Sequence, residues 1–124
     1  MKTRRLLVAM ALLSATAFMQ AEQFDLVVYG GTAAGVMTAV AAAREGLHVA
    51  LLEPGNHLGG MVTSGLSRTD FGTKEVIGGL ALEFYHRVGR KYGLDIEWMP
   101  EPRVAEAVLN EMVQDAKHVT VFLH

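Results

Sequence analysis

The sequence predicts an α/β fold built on a parallel sheet. Two observations carry that prediction. Phe24 to Tyr29 is a short apolar, β-branched run, the composition of a strand buried on both faces, and Leu47 to Leu52 is a second apolar run. Between them, Ala33 to Arg44 is a run of small, helix-forming residues, introduced by Gly30-Gly31 and stopped by Gly46. Strand, glycine turn, helix and strand in that order make a βαβ unit, whose two strands run parallel.

The turn in this unit points to chemistry. A strand that bends sharply into a helix aims the helix N-terminus, with its free N–H groups and positive dipole end, at whatever lies above the strand; a diphosphate suits that place. Gly30 permits the tight bend, and Gly35 lets the helix lie close to the strand. Ala39, Ala42 and Ala43 keep the sheet-facing side of the helix thin. Glu53-Pro54 closes the second strand, where a carboxylate can accept hydrogen bonds from the two ribose hydroxyls of an adenosine. Gly30, Thr32 and Gly35 occupy the glycine positions of G-x-G-x-x-G, with threonine at the middle one. Its side chain would either crowd a diphosphate or hydrogen-bond to it. These residues predict a Rossmann-like unit holding a dinucleotide on the Gly30 to Gly35 turn. An ordinary βαβ unit with a glycine turn and no ligand is the alternative.

Composition narrows the partners. The chain has 124 residues, enough for one domain at most, and a formal charge of −2, with no basic excess to suggest nucleic acid. It has no cysteine, which excludes disulfides, thiolate metal sites and iron–sulfur ligation by this chain. No metal-binding motif is present.

Met1 to Ala21 has the order of a secretory signal: basic Lys2, Arg4 and Arg5, an apolar core from Leu6 to Leu13, then small residues ending at Ala21. The apolar run is short for a membrane span, so export without a stable membrane span is expected. Arg4-Arg5 followed by Leu6-Leu7 also resembles the start of a twin-arginine signal.

After the second strand, Gly55 to Gly78 forms a long glycine-rich connection with no period, of the kind that usually serves function. It carries Gly59-Gly60 and the hydroxyls of Thr63, Ser64, Ser67 and Thr69. His57 reads as a solvated loop histidine, and Arg68 and Asp70 as substrate-facing groups or a loop ion pair. The string GGTAAG, then EP-x-x-x-LGGMVTSGL, IGG and EPRVAEAVLNEM resembles the N-terminal part of FAD-dependent oxidoreductases, in the bacterial group related to heterodisulfide-reductase-A-like flavoproteins. The resemblance implies that Gly30, Gly31, Thr32, Ala33, Ala34 and Gly35 meet the FAD diphosphate, and that Glu53, beside Pro54, holds the ribose. It places Gly59 and Gly60 near the ribose and diphosphate, and runs Met61, Thr63, Ser64 and Gly65 towards the flavin. The basic residue that usually follows the glycine pair is replaced by Met61 and Val62.

The rest of the chain reads as two helices and a strand. Ile77, Leu80, Ala81, Phe84, Val88 and Tyr92 recur at helical spacing, with His86, Arg87, Arg90 and Lys91 as a solvated polar face. Leu94 to Met99 is an irregular connection, with Trp98 and Met99 as core or lid contacts. Glu101-Pro102 starts a second helix with a stripe of Val104, Val108, Leu109, Met112 and Val113. Val119 to Leu123 is a third sheet strand. The resemblance implies that residues 22–124 are the N-terminal part of a discontinuous FAD-binding domain, completed by the remainder of a longer chain. No acid, base or nucleophile constellation stands out, so the catalytic residues and the small-molecule substrate stay open. Two other readings also stay open: an NAD site, which Glu53 fits equally although the loop after it favours FAD, and a non-catalytic truncated fragment.

Overall fold

A computed structural model describes residues 21–65 and 72–124. The leader reading for residues 1–21 therefore lies, except for Ala21, outside the described residues, as do Ser67, Arg68, Thr69 and Asp70.

Three parallel strands, β1 (Leu26–Tyr29), β2 (Val49–Glu53) and β3 (Val119–Leu123), form one sheet in the order β1-β2-β3. Three helices, α1 (Ala33–Arg44), α2 (Gly79–Lys91) and α3 (Pro102–Asp115), complete the fold. The expected α/β architecture and the third strand are both present.

Register explains how the core is divided. Leu26 pairs with Val49 and Val28 with Leu51; those two pair in turn with Val119 and Val121. Because side chains alternate along a strand, these six share one face. On that face they pack with Val36, Ala39, Val40 and Ala43 of α1, and with Phe84, Val88, Val108, Leu109 and Met112 of α2 and α3. The alanines keep α1 close to the sheet, as its composition implied.

The opposite face departs from expectation. A strand buried on both sides was read at Phe24 to Tyr29, yet Val27 and Tyr29 are exposed, Tyr29 by 78 %. Phe122, on the same face, is also exposed and meets Phe24 edge-on at 6.0 Å between ring centroids. Among the described residues all three helices pack on the other face, so these apolar side chains have nothing over them. At the lower end, the Asp25 carboxylate accepts the His48 amide at 2.8 Å, which ties the entries of β1 and β2 together.

Two further boundaries shift for local reasons. The second strand starts at Val49 because Leu47 still donates to the Ala42 carbonyl at the end of α1. The helix expected from Ile77 starts at Gly79, because the preceding Lys74–Val76 segment forms a separate 3-10 turn and Gly79 takes a positive φ of 57°. The polar face of α2 is not simply solvated. Glu83 binds Arg44 of α1 through two bonds of 2.7 and 2.8 Å, and Arg87 links Glu83 at 2.9 Å to Asp115 at 2.6 Å. The charges thus lace all three helices. Gly89, buried in the last turn of α2, has no room for a side chain: a Cβ there would stand 2.6 Å from Ile96 Cα.

Candidate cofactor site

The glycine turn at the top of β1 is fixed by sterics. Gly30 has φ of +103°, in the region that favours glycine, and a Cβ on it would meet nothing within 4 Å. Gly35 has the opposite constraint, since a Cβ there would collide with the Gly30 carbonyl oxygen. One glycine bends the chain, and the other lets the first turn of α1 close down on that bend.

Thr32 resolves the departure from the usual fingerprint. It is the N-cap of α1, and its Oγ1 accepts the Gly35 amide at 3.1 Å. Its carbonyl accepts the Val36 amide at 2.9 Å. A helix start leaves its first amides without intrahelical acceptors. With Gly35 and Val36 satisfied, the first-turn donors left for a ligand oxygen are those of Ala33 and the exposed Ala34.

Glu53 lies directly beneath this turn. Its Oε2 accepts the Gly31 amide at 2.6 Å and its Oε1 accepts the Gly55 amide at 2.7 Å. The carboxylate therefore joins the turn after β1 to the loop after β2, and each oxygen keeps a lone pair for a further donor. Pro54 stands beside it, at a shallow hollow that also touches Tyr29 and Phe122 on the open sheet face.

The second glycine pair comes back to the first. Gly59 donates to the Gly31 carbonyl at 2.6 Å, and Thr32 and Gly59 form an isolated parallel bridge. Gly59 (φ +111°) would drive a Cβ into Thr63 and Leu109. Gly60 would bring one within 3.3 Å of Thr32 Cα. Thr63 is committed locally, donating from Oγ1 to the Leu58 carbonyl at 2.7 Å. Ser64 donates to the Met61 carbonyl at 3.4 Å, and Gly65, at φ +90°, closes the described part of the loop.

Two hollows lie near these loops. One, of about 400 Å³, is lined by Glu53, Asn56, His57, Gly60, Met61, Thr63 and Ser64. The other, of about 210 Å³, is almost wholly apolar and runs from Ala33 and Ala34 past Met37 and Val62 to Phe84, Tyr85 and Leu109. Burial pushes the Tyr85 phenol up, and its ring packs on Trp98 at 4.8 Å between centroids. This fixes Trp98 against α2. Among the described residues neither hollow is lined by lysine or arginine, in keeping with the basic residue replaced by Met61 and Val62.

A search of known protein families matches the model described as FAD dependent oxidoreductase over residues 25–124. The chain belongs to the FAD dependent oxidoreductase family. FAD is its cofactor, which decides between the two nucleotides that Glu53 alone would suit. No curated protein matches the chain. Among solved structures, similarity is found to THI4 of Thermovibrio ammonificans, at a TM-score of 0.56 and 16 % identity, covering 95 % of this chain and 46 % of that one. An oxidized steroid monooxygenase bound to NADP matches at 0.51 and 17 % identity, over 79 % of this chain and 19 % of that one. OTEMO in complex with FAD and NADP matches at 0.50 and 18 % identity, over 82 % of this chain and 19 % of that one. At these identities the likeness concerns the fold. The chain spans less than half the length of each of these three structures.

The residues present fit FAD. The turn at the helix N-terminus faces open space at Gly30, an acid stands beside it, one hollow reaches its Ala33 and Ala34, and another lies beside Glu53 and Gly60. Among the described residues the structure brings Gly30 to Gly35, Glu53 and Gly59-Gly60 together at one edge of the sheet. Met61, Thr63 and Ser64 share the cavity of Glu53. His57 is solvated, as read from the sequence, and it also meets α3: its Nδ1 lies 2.9 Å from Glu106 Oε1. Glu106 and Tyr85 were not singled out from the sequence. Both lie on amphipathic helices, and no local signal says which distant loop a helix residue meets.

Proposed function

We propose that this chain is the FAD-holding segment of an exported flavoprotein oxidoreductase acting on a small-molecule substrate. In this reading the amides of Ala33 and Ala34 take the diphosphate, and Glu53 takes the adenosine ribose. The cavity beside Glu53 receives the adenosine, and the apolar hollow at Ala33 to Tyr85 lies on the path towards the ring. Bound FAD supplies hydride or electron transfer. The protein's residues here bind and orient it, and the chemistry on substrate is assigned to groups outside residues 22–124. The signal-like order of residues 1–21 supports export.

The observation that carries the reading is the meeting of the glycine turn, the Glu53 carboxylate and the Gly59-Gly60 pair within hydrogen-bonding distance of one another. The test is an absorbance spectrum of the purified full-length protein, with calorimetric titration of FAD into its flavin-free form. An oxidised-flavin spectrum and tight binding are expected. A colourless protein that gives no heat with FAD overturns the proposal. Export is tested separately, by fusing residues 1–21 to a reporter that is active only outside the cytoplasm.

A further inference from the structure

We infer that His57, held by Glu106, reads the adenine of the bound dinucleotide; this rests on the FAD reading above. The two side chains do not belong to the usual glycine-and-acid pattern, and the structure brings them together from 49 positions apart. His57 lines the same cavity as Glu53. A nucleotide whose ribose is gripped by Glu53 therefore has its base within the space His57 borders.

The direction of the His57–Glu106 bond sets what the ring offers. An ionised carboxylate only accepts, so Nδ1 carries the proton in the 2.9 Å bond to Glu106 Oε1. In the neutral imidazole Nε2 is then a bare acceptor. The His57 side chain is 76 % exposed, so the edge of the ring away from Glu106 is open to a ligand. Glu106 lies on α3 with its side chain 25 % exposed. A bare acceptor matches the exocyclic amino group of adenine and opposes the oxygen that hypoxanthine carries in its place. Asn56 carries both donors and an acceptor and makes no such choice; the hydroxyls of Thr63 and Ser64, whose protons go to the Leu58 and Met61 carbonyls, also keep acceptor lone pairs, so the variants at His57 and Glu106 carry the assignment.

The test uses the flavin-free full-length protein and two flavin-free probes, adenosine diphosphate and inosine diphosphate, titrated calorimetrically. Wild type should bind the adenosine form roughly three- to tenfold more tightly, the range of one hydrogen bond. His57→Phe keeps a ring but no acceptor and should bring the ratio near one. Glu106→Ala frees the tautomer and should also lower it. Both positions are on the surface of the loop and helix, so at least one variant is expected to stay folded. A wild-type ratio of one, or a ratio unchanged in both variants, overturns the inference while leaving FAD binding intact. A protein that binds neither FAD nor either diphosphate overturns the dinucleotide reading, and this one with it.

Discussion

The Gly31 amide donates to Glu53 Oε2 at 2.6 Å, so the acid at the end of β2 holds the glycine turn at the end of β1. The residue expected to grip a sugar also braces the loops that form the site. Glu53→Gln should therefore do more than weaken a ribose contact. The new amide sets an N–H against the Gly31 or Gly55 amide, leaving one donor without an acceptor at a cost of about 1–3 kcal/mol. In the full-length protein both the melting temperature and the FAD affinity should fall together. A variant that loses FAD affinity with no change in melting temperature would separate the two roles and argue against the brace.

Gly35→Ala is expected to be severe for its size. The added methyl would strike the Gly30 carbonyl, so the first turn of α1 has to lift from the strand. Overpacking of this kind costs about 1–3 kcal/mol. It moves the Ala33 and Ala34 amides as well, so FAD binding should weaken by at least about tenfold. Fluorescence titration of flavin into the variant checks this.

Thr32 gives a graded series. Serine keeps the cap on the Gly35 amide and should behave as wild type. Glycine, which restores the common fingerprint, should cost only a few tenths of a kcal/mol, and alanine about 1 kcal/mol. Flavin affinity should follow the cap rather than side-chain size. A tighter-binding Thr32→Gly variant would show that the threonine does crowd the diphosphate.

Acid should loosen the helix layer through Glu83. Hydrogen bonds from Arg44, then Arg87, hold its carboxyl at about 2, below the ordinary 4.5. A lowered folded value means that the stabilisation is present above the ordinary value and is lost as pH falls from about 4.5 towards 2. With its side chain 29 % exposed and solvent screening the pairs, the contribution is on the order of 1–2 kcal/mol. Glu83→Gln should be less stable at neutral pH and show a flatter melting-temperature profile between those limits. Parallel profiles for wild type and variant would assign the acid response elsewhere.

Gly89→Ala should destabilise α2 by about 1–3 kcal/mol, although alanine is the better helix former. The reason is the 2.6 Å approach of Ile96 Cα to the position of the new methyl. A thermal melt that rises instead would mean that the 92–96 segment can move aside.

Local patterns carried most of the fold. The span Ala33–Arg44 and the strand Val119–Leu123 follow from composition and stop signals alone, as does the start of α3 at Pro102. At the site, Gly30, Gly35 and Glu53 were legible because each meets a local demand of turn or strand end. What was hidden depends on distant chain segments. The sequence cannot say that His57 reaches Glu106, or that Arg87 turns from water to Asp115. Nor can Val27 and Tyr29 tell that, among the described residues, their side of the sheet carries no covering layer, since apolar residues read the same whether or not one lies above them.

Among the described residues the sheet also has an open rim, because β1 stands at its margin with β2 on one flank only. Backbone donors and acceptors along such a rim, backed by Val27 and Tyr29, will accept any extended peptide that arrives. Handled alone, residues 22–124 therefore carry an edge prone to strand pairing between copies.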